Sequence, residues 1–539
     1  MQEVDYIVVG AGSAGCAVAN RLSEDGISTV LLLEAGPRDT NPWLHIPVGY
    51  YRTLYDPRVS WGYETEPVPE CENRRMPWPR GKVLGGCSAV NGLVYIRGQA
   101  ADFDHWRQLG NAGWSYDDVL PFFRKAIDQP RGANTWHGQG GPLRVSEVPR
   151  TELCDAYIAA CEQAGIPRND DFNGVRQDGA GYFQLTTSKG LRMSAARAYL
   201  KPARKRHNLH VETEAHVDRV LIENGTAIGV RVRNVGGARD IRCRGEVVLC
   251  GGAINSPAVL QHSGVGPGGR LSALGISVLR DLPGVGENLQ DHLQARSVYR
   301  ATKPITVNDE VRNPVRQILA ALEWLAFRRG PLTVSAGQVG AFARTRADVA
   351  EPDVQIHFIR FSSDKPGDGL HSFSGFTASV CQLRPESRGW VHVQHPDPAM
   401  PPSIQPNYLD TALDRDTMVA GMKLKRKIIA QPAMSALVER EILPGPDCAE
   451  DAALLQYLRD TASTIFHPSG TCKMGSDPSA VVDARLRVWG VNRLRVADAS
   501  IMPTILSGNL NAGCIMIGEK CAAMMIEDRR SGRRSAASE

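Results

Sequence analysis

The chain has 539 residues, 42% hydrophobic and 22% charged, with 62 basic and 58 acidic side chains for a formal net charge of +4. That length exceeds one simple domain and supplies apolar material for two cores. The near balance of charge excludes a strong field for nucleic acid, no apolar run reaches membrane-crossing length, and the twelve cysteines form no C-x-x-C pair of a zinc or redox motif.

No metal site is expected. Met1 leads almost at once into a strand with no basic and apolar leader, so a cytoplasmic location with reduced thiols is the expectation.

Asp5-Tyr-Ile-Val-Val leads into Gly10-Ala-Gly12-Ser-Ala-Gly15. A stretch with Ala14, Val18 and Leu22 on one helical face follows, and Val30 to Leu33 resumes strand before Glu34-Ala35-Gly36. This βαβ pattern has dinucleotide-binding spacing: Gly10 permits the tight turn, Gly12 lets a pyrophosphate approach the backbone, and Gly15 lets helix and strand pack closely. The free N–H groups and dipole of the helix start favour phosphate. Glu34 is placed for a ribose 2′-hydroxyl and would repel a 2′-phosphate, which leaves FAD or NAD.

From Pro37 to Pro79 the chain is rich in proline and tryptophan and lacks periodicity, as functional covering loops do. Arg80-Gly-Lys-Val-Leu-Gly-Gly-Cys-Ser-Ala-Val-Asn91-Gly92 is a second glycine-rich segment; Gly86-Cys-Ser88-Ala-Val90 within it lacks the final glycine of a hydrolase nucleophile elbow. A short helix is expected over Ser194 to Leu200. Short strands are expected at His210, Val217 to Ile222 and Gly229 to Val232, and a buried strand at Glu246 to Cys250 returns to the nucleotide sheet. Between about residues 298 and 459 half-buried antiparallel strands at Val354, Phe376 and Gly389 alternate with helices over Pro314 to Arg328 and Asp414 to Ile429. The first of these helices also fits a membrane surface, with Ile318, Leu322, Leu325 and Phe327 near Arg316, Arg328 and Arg329; an ordinary core helix is the expectation. Arg493 to Val496 restores strand, a helix runs from Ala512 to Glu527, and the basic Ser/Arg/Ala tail is expected to be disordered.

Four blocks together resemble the glucose-methanol-choline (GMC) oxidoreductases over the whole chain. They are the N-terminal βαβ; Gly81 to Ser88 with Asn91; Gly252-Ala-Ile-Asn-Ser-Pro to Gly266; and Phe466-His467-Pro-Ser-Gly-Thr-Cys-Lys-Met-Gly475 with Asn509-Leu-Asn511-Ala. Cys87 departs from the usual Ser or Thr, a small side chain in either case. The resemblance implies an α/β fold (α+β overall): a Rossmann-like FAD-binding domain from 1–152, 205–297 and 460–539, and an inserted antiparallel-sheet-plus-helices substrate domain from 153–204 and 298–459. It implies FAD rather than NAD. Gly10, Gly12, Gly15, Glu34 and Ala35 would bind the ADP portion, Val217 the adenine, Val83 with Asn91, Gly92, Leu93 and Val94 the flavin, Asp498 and Ala499 its phosphate and ribityl chain, and Asn511 the flavin again. Val90 stands where some members carry the histidine that attaches flavin covalently, so the FAD is expected to dissociate.

Alcohol oxidation needs a base for the hydroxyl proton and an acceptor for the hydride. The resemblance places His467 as base and Asn509 where it hydrogen-bonds the substrate oxygen. Choline dehydrogenases carry a Glu at a position aligned with Gln338, so the expectation is a neutral primary alcohol, aliphatic, aromatic or ether-containing, with Trp61 and Phe466 as further substrate contacts. Choline dehydrogenation is the alternative; a redox-silent hydroxynitrile lyase or light-driven fatty-acid decarboxylase is the alternative of another class. Oxygen, a quinone or another carrier would take the electrons, no nucleic acid is expected as partner, and any membrane contact would be peripheral.

Overall fold

Two seven-stranded sheets dominate the computed structural model, which describes residues 3–364 and 368–536. The first opens with the expected βαβ unit. Strands Glu3–Val9 and Val30–Leu33 pair in parallel, Tyr6 opposite Val30 and Val9 opposite Leu33, joined by helix Ser13–Leu22. Their apolar runs are continuous rather than alternating because both faces are covered: Ile7, Val8 and Leu31 to Leu33 are buried. Leu209–Glu212 and the end of the long strand Gly237–Leu249 add to the two sides of this pair, both in parallel. Leu494–Val496 extends the parallel row beside residues 247–249. The first half of the long strand turns instead to antiparallel pairing with Thr226–Asn234, which pairs with His216–Glu223.

The second sheet is antiparallel, in the order Val438–Leu443, Leu293–Ala301, Gly375–Gln382, Val354–Ile359, Val339–Ala343, Gly179–Tyr182, with Ser463–Thr464 beside Leu293. Helix Ala412–Ile429 covers one face, burying Met418, Met422 and Ile428, with Gly421 close against Val354 and Val380. Because side chains alternate along a strand, residues 355, 357 and 379 point to the other face. Leu293–Ala301 runs unbroken across the expected division at 297 and 298, and Ser463–Thr464 pairs with it beyond the expected limit at 459. One ladder therefore holds the residues on both sides of that division.

Three further expectations need correction. The segment from Pro37 to Pro79 is no loose cover: short turns at Pro42–Leu44, Pro47–Gly49, Tyr50–Thr53 and Pro69–Cys71 and two-residue strands at Tyr63–Glu64 and Pro77–Trp78 press Val68, Met76 and Trp78 into the core of the second sheet. The C-terminal helix runs Asn511–Ala536 and takes in most of the tail expected to be disordered, since Asp528 pairs with Arg485 and Arg495, and Arg529 with Asp25; residues 537–539 lie outside the described residues. Helix Pro314–Phe327 forms where expected but buries only Ala320 and Trp324, so it is not a core helix. All twelve cysteines are free. Among the described residues no cluster could hold a metal ion, and no helix is long and apolar enough to cross a membrane.

Candidate active site

A cavity of about 780 Å³ lies between the sheets and reaches from the first βαβ turn to His467. At the nucleotide end it is lined by Gly10, Gly12, Glu34, Ala35, Val217, Asp498, Ala499 and Asn511. Gly10 has φ +100, and a Cβ there would lie 2.5 Å from the Cys250 carbonyl oxygen. A Cβ on Gly15 would meet the Gly10 carbonyl at 1.9 Å, the close helix–strand packing its spacing implies; Gly15 itself lies behind the cavity wall. A Cβ on Gly12 would meet nothing closer than the Cys250 carbonyl oxygen at 4.0 Å, and no side chain caps the helix it begins, so the first-turn N–H groups are available to an anion. Glu34 accepts from the Ala11 and Gly36 amides at 2.9 Å each, and burial pushes its carboxyl up to about 7. Asp498 accepts from the Gly252 amide at 2.8 Å and from the Ser256 hydroxyl. Ser13 Oγ donates to Asn511 Oδ1 at 2.7 Å, tying two helix starts together at the cavity. An uncapped helix start, a carboxylate with lone pairs to spare and a glycine at the cavity wall together fit a dinucleotide.

Midway, Asn91, Gly92, Leu93 and Val94 line the wall. Gly92 is pressed against Ala336, where a Cβ would approach to 2.4 Å. Asn91 Oδ1 accepts from the Leu93 amide and from Arg192, whose guanidinium is pulled down to about 9 by burial. Val83 is fully buried behind this wall beside Val59, Ala89 and Val90.

The far end is built by the second sheet. Arg296, Ser379 and His357 are cross-strand neighbours in register and share the face opposite helix Ala412–Ile429, with Gln294 two residues from Arg296. All four line the cavity, as do Phe466, His467 and Asn509. Phe466 sits at φ +69, held by Arg80 donating to its carbonyl at 3.0 Å. The buried Asp291 carboxylate accepts from the His467 amide at 2.7 Å and from the hydroxyls of Thr464 and Tyr408; burial outweighs these bonds and raises it to about 6.

The protons on the imidazoles follow from one fixed point. His292 Nε2 lies 3.1 Å from the Leu383 carbonyl, which can only accept, so Nε2 carries the hydrogen. Burial lowers His292 to about 4, so the ring is neutral and its Nδ1 is an acceptor. His467 Nδ1, 3.0 Å away, must therefore be the donor, which leaves His467 Nε2 with a lone pair. The Asn509 amide agrees: its Oδ1 accepts from Gln355 Nε2 at 3.3 Å, so its Nδ2 donates toward His467 Nε2, also at 3.3 Å. Burial first, then the charges of His292, His357 and Arg80, hold His467 well below the ordinary imidazole range. His357 stands beside Asn509, whose amide favours its protonated form, but burial outweighs this and lowers it to about 4.

Two expected substrate contacts lie elsewhere. Gln338 does not line the cavity; its Oε1 accepts from the Arg360 amide at 3.2 Å and its Nε2 from its own turn reaches the Ser335 carbonyl, while Ala336 takes the place at the wall. Gln338 therefore says nothing about substrate charge. Trp61 lines the cavity, but its ring packs with Tyr63, His216 and Lys82 on the nucleotide side. Sequence reasoning missed His292, Gln294, Arg296, His357 and Arg80. The alternation His292, Gln294, Arg296 about Leu293 and Ala295 is a strand signal with a polar inner face; His357 sits in a strand otherwise taken as core.

The chain matches the GMC oxidoreductase models at residues 4–294 and 385–518. An oxygen-dependent choline dehydrogenase of Xanthomonas euvesicatoria pv. vesicatoria is 45% identical over 541 residues, covering 99% of this chain and 96% of that protein. Among solved structures, pyridoxine 4-oxidase from Mesorbium loti is 32% identical with a TM-score of 0.87, covering 96% of this chain and 98% of that one. Formate oxidase of Aspergillus oryzae RIB40, solved in connection with modification of its FAD, is 27% identical with a TM-score of 0.91, covering 98% and 99%.

Proposed function

The chain belongs to the GMC oxidoreductase family, and from that premise we propose that it oxidises a neutral primary alcohol to the aldehyde with His467 as the base. It is an FAD-dependent oxidoreductase acting on CH–OH donors. Gly10, Gly12, Glu34 and Asp498 would hold the nucleotide, and Asn91 to Val94, Ala499 and Asn511 the ring system. Bound FAD supplies the acceptor that takes hydrogen with its electron pair from the alcohol carbon.

The observation that carries the reading is the chain of hydrogen bonds that runs in one direction from Gln355 through Asn509 and His467 to His292 and leaves His467 Nε2 as an acceptor at the cavity. His467 Nε2 takes the hydroxyl proton as the C–H bond breaks, and its Nδ1–H stays on His292, so the imidazolium forms with both nitrogens engaged. Asn509 Nδ2, released from His467 Nε2 as that nitrogen takes the proton, and a ring N–H of His357 donate to the substrate oxygen and orient it. Buried walls keep water from the proton acceptor.

The choice of a neutral substrate rests on Arg296. Among the described residues lining this end none is a carboxylate; Glu34, Asp218 and Asp498 all lie at the nucleotide end. A quaternary ammonium would meet a guanidinium and no counter-charge. Choline is kept as a second reading because relatives 45% identical are choline dehydrogenases and because Tyr50, Tyr51 and Phe361 form an aromatic group on this wall. Val90 offers no nucleophile, and the FAD is proposed to dissociate.

The test is anaerobic loss of flavin absorbance near about 450 nm with choline, benzyl alcohol, a long-chain alkanol and a polyether glycol. Rapid bleaching by a neutral alcohol and not by choline is expected, and His467→Ala should keep FAD while slowing bleaching about 100-fold or more. Bleaching by choline alone would overturn the substrate assignment. No bleaching by any alcohol would overturn the reaction and leave the redox-silent lyase.

A further inference from the structure

A surface helix ordinarily turns its apolar stripe to the core, as Ala412–Ile429 does. Helix Pro314–Phe327 does the reverse. At about 100° per residue, Val315, Ile318, Leu319, Leu322 and Leu325 share an arc of roughly 120°, and the buried pair Ala320 and Trp324 lies diametrically opposite. Those five and Phe327 are each 55% to 66% exposed, and they are six of the fifteen large apolar side chains exposed among the described residues.

The helix is nonetheless firmly seated. Asn313 caps its start by accepting from the Arg316 amide, Trp324 donates to the Gly190 carbonyl at 3.0 Å, and Arg328 covers the Trp324 ring at 4.1 Å. An outward apolar face on a well-anchored helix is a built surface rather than a frayed segment. Its ends are cationic: Arg312 and Arg316 at one, Arg328 and Arg329 at the other, against a single carboxylate, Glu323, which pairs with Arg329 at 3.0 Å. A second copy of the chain docked face to face would bring arginine-bearing ends together. An anionic surface meets them with opposite charge.

We propose that helix Pro314–Phe327 docks the enzyme on an anionic lipid bilayer, with Val315, Ile318, Leu319, Leu322 and Leu325 in the acyl boundary and the terminal arginines on headgroup phosphates. The foot of the helix adjoins the active site: Val311 and Val334 pack with Tyr51, Ile359 and Phe361, and these last three line the cavity. Docking brings that wall to the bilayer, so an apolar alcohol or electron carrier dissolved in lipid reaches it without crossing bulk water.

The holoenzyme is sedimented with vesicles of phosphatidylcholine alone and with vesicles containing phosphatidylglycerol. The expected result is binding at least tenfold tighter to the anionic vesicles, weakened at least tenfold in Ile318→Glu/Leu322→Glu and made insensitive to lipid charge in Arg312→Gln/Arg328→Gln. FAD content and turnover of a water-soluble alcohol stay at the wild-type level in both variants, which separates this result from any outcome for the proposed reaction. Failure of the wild type to bind, or binding unchanged by the paired glutamates, overturns the proposal. So does a dimer in light scattering that dissolves in Ile318→Glu/Leu322→Glu, which would make a second copy the occupant.

Discussion

At the scale of single residues the site depends on where two protons sit. His292 touches no substrate; it acts by accepting from His467 Nδ1 and so keeping Nε2 free. His292→Leu would leave His467 Nδ1–H buried without an acceptor and favour the opposite tautomer. The expected loss in kcat is about 100-fold with KM and FAD content nearly unchanged. His292→Asn places an oxygen near the lost Nδ1 and should restore much of it. Equal losses in the two variants would mean that His292 only fills space. The same burial sets a pH profile: His467 must be neutral to act, and its imidazolium is disfavoured by burial and by His292, His357 and Arg80. The acid limb of kcat/KM should therefore fall below the free imidazole value of about 6.5, and a limb at or above it would contradict the assignment. Glu34 gives a second signature. Its carboxyl is raised to about 7, and ribose hydroxyls donate more strongly to the ionised form, so FAD should bind more weakly as pH falls through 7, by up to about tenfold per unit; titration of the apoprotein with FAD at pH 6 and pH 8 measures it.

At the scale of elements, the two helices whose starts face the cavity cross where Gly518 meets Ala14. A Cβ on Gly518 would lie 2.5 Å from the Ala14 carbonyl oxygen and 2.9 Å from its Cα. Gly→Ala inside a helix normally stabilises by about 0.5–1 kcal/mol. Here Gly518→Ala should destabilise by about 1–3 kcal/mol and weaken FAD binding, because backbone must yield and the Ser13–Asn511 contact with it. A rise in Tm would show that the helices separate freely. Elements of this first unit were legible because glycine spacing and an uninterrupted apolar strand are local signals. The segment from Pro37 to Pro79 was not, since its turns and two-residue strands are fixed by contact with the second core and leave no period. Helix Pro314–Phe327 was legible as a helix, but periodicity reports that an apolar face exists and not which way it points. Gln338 failed for a related reason: an alignment places a residue in a segment, and only the strand register decides which side chain meets the cavity.

At the scale of the molecule, the two-sheet plan could be inferred from the change of pattern near residue 298, but the constellation could not. His292, Gln355, His467 and Asn509 come from four distant segments, and nothing local couples them. What joins them is desolvation, and this has a measurable cost. Burial lowers His262, His292 and His357 to about 4 and also lowers His216 and His467. Unfolding lets these five rings protonate near about 6.5, so each contributes stability that is lost as pH falls below that value. Glu34 and Asp291, raised to about 7 and about 6, act oppositely, as do Asp102 and Asp498, also raised by burial, since the folded state there holds protons that the unfolded chain has released. Between pH 6.5 and 5 the five rings outnumber the four raised carboxyls, so stability should fall on acidification. Bound FAD steepens this, because hydrogen bonding to the ionised Glu34 removes one of the opposing groups. Urea unfolding of the holoenzyme at pH 6.5, 5.8 and 5 tests the sign. A midpoint that rises as pH falls would mean the carboxyls dominate, and the buried imidazole cluster is then not the neutral assembly that keeps His467 unprotonated.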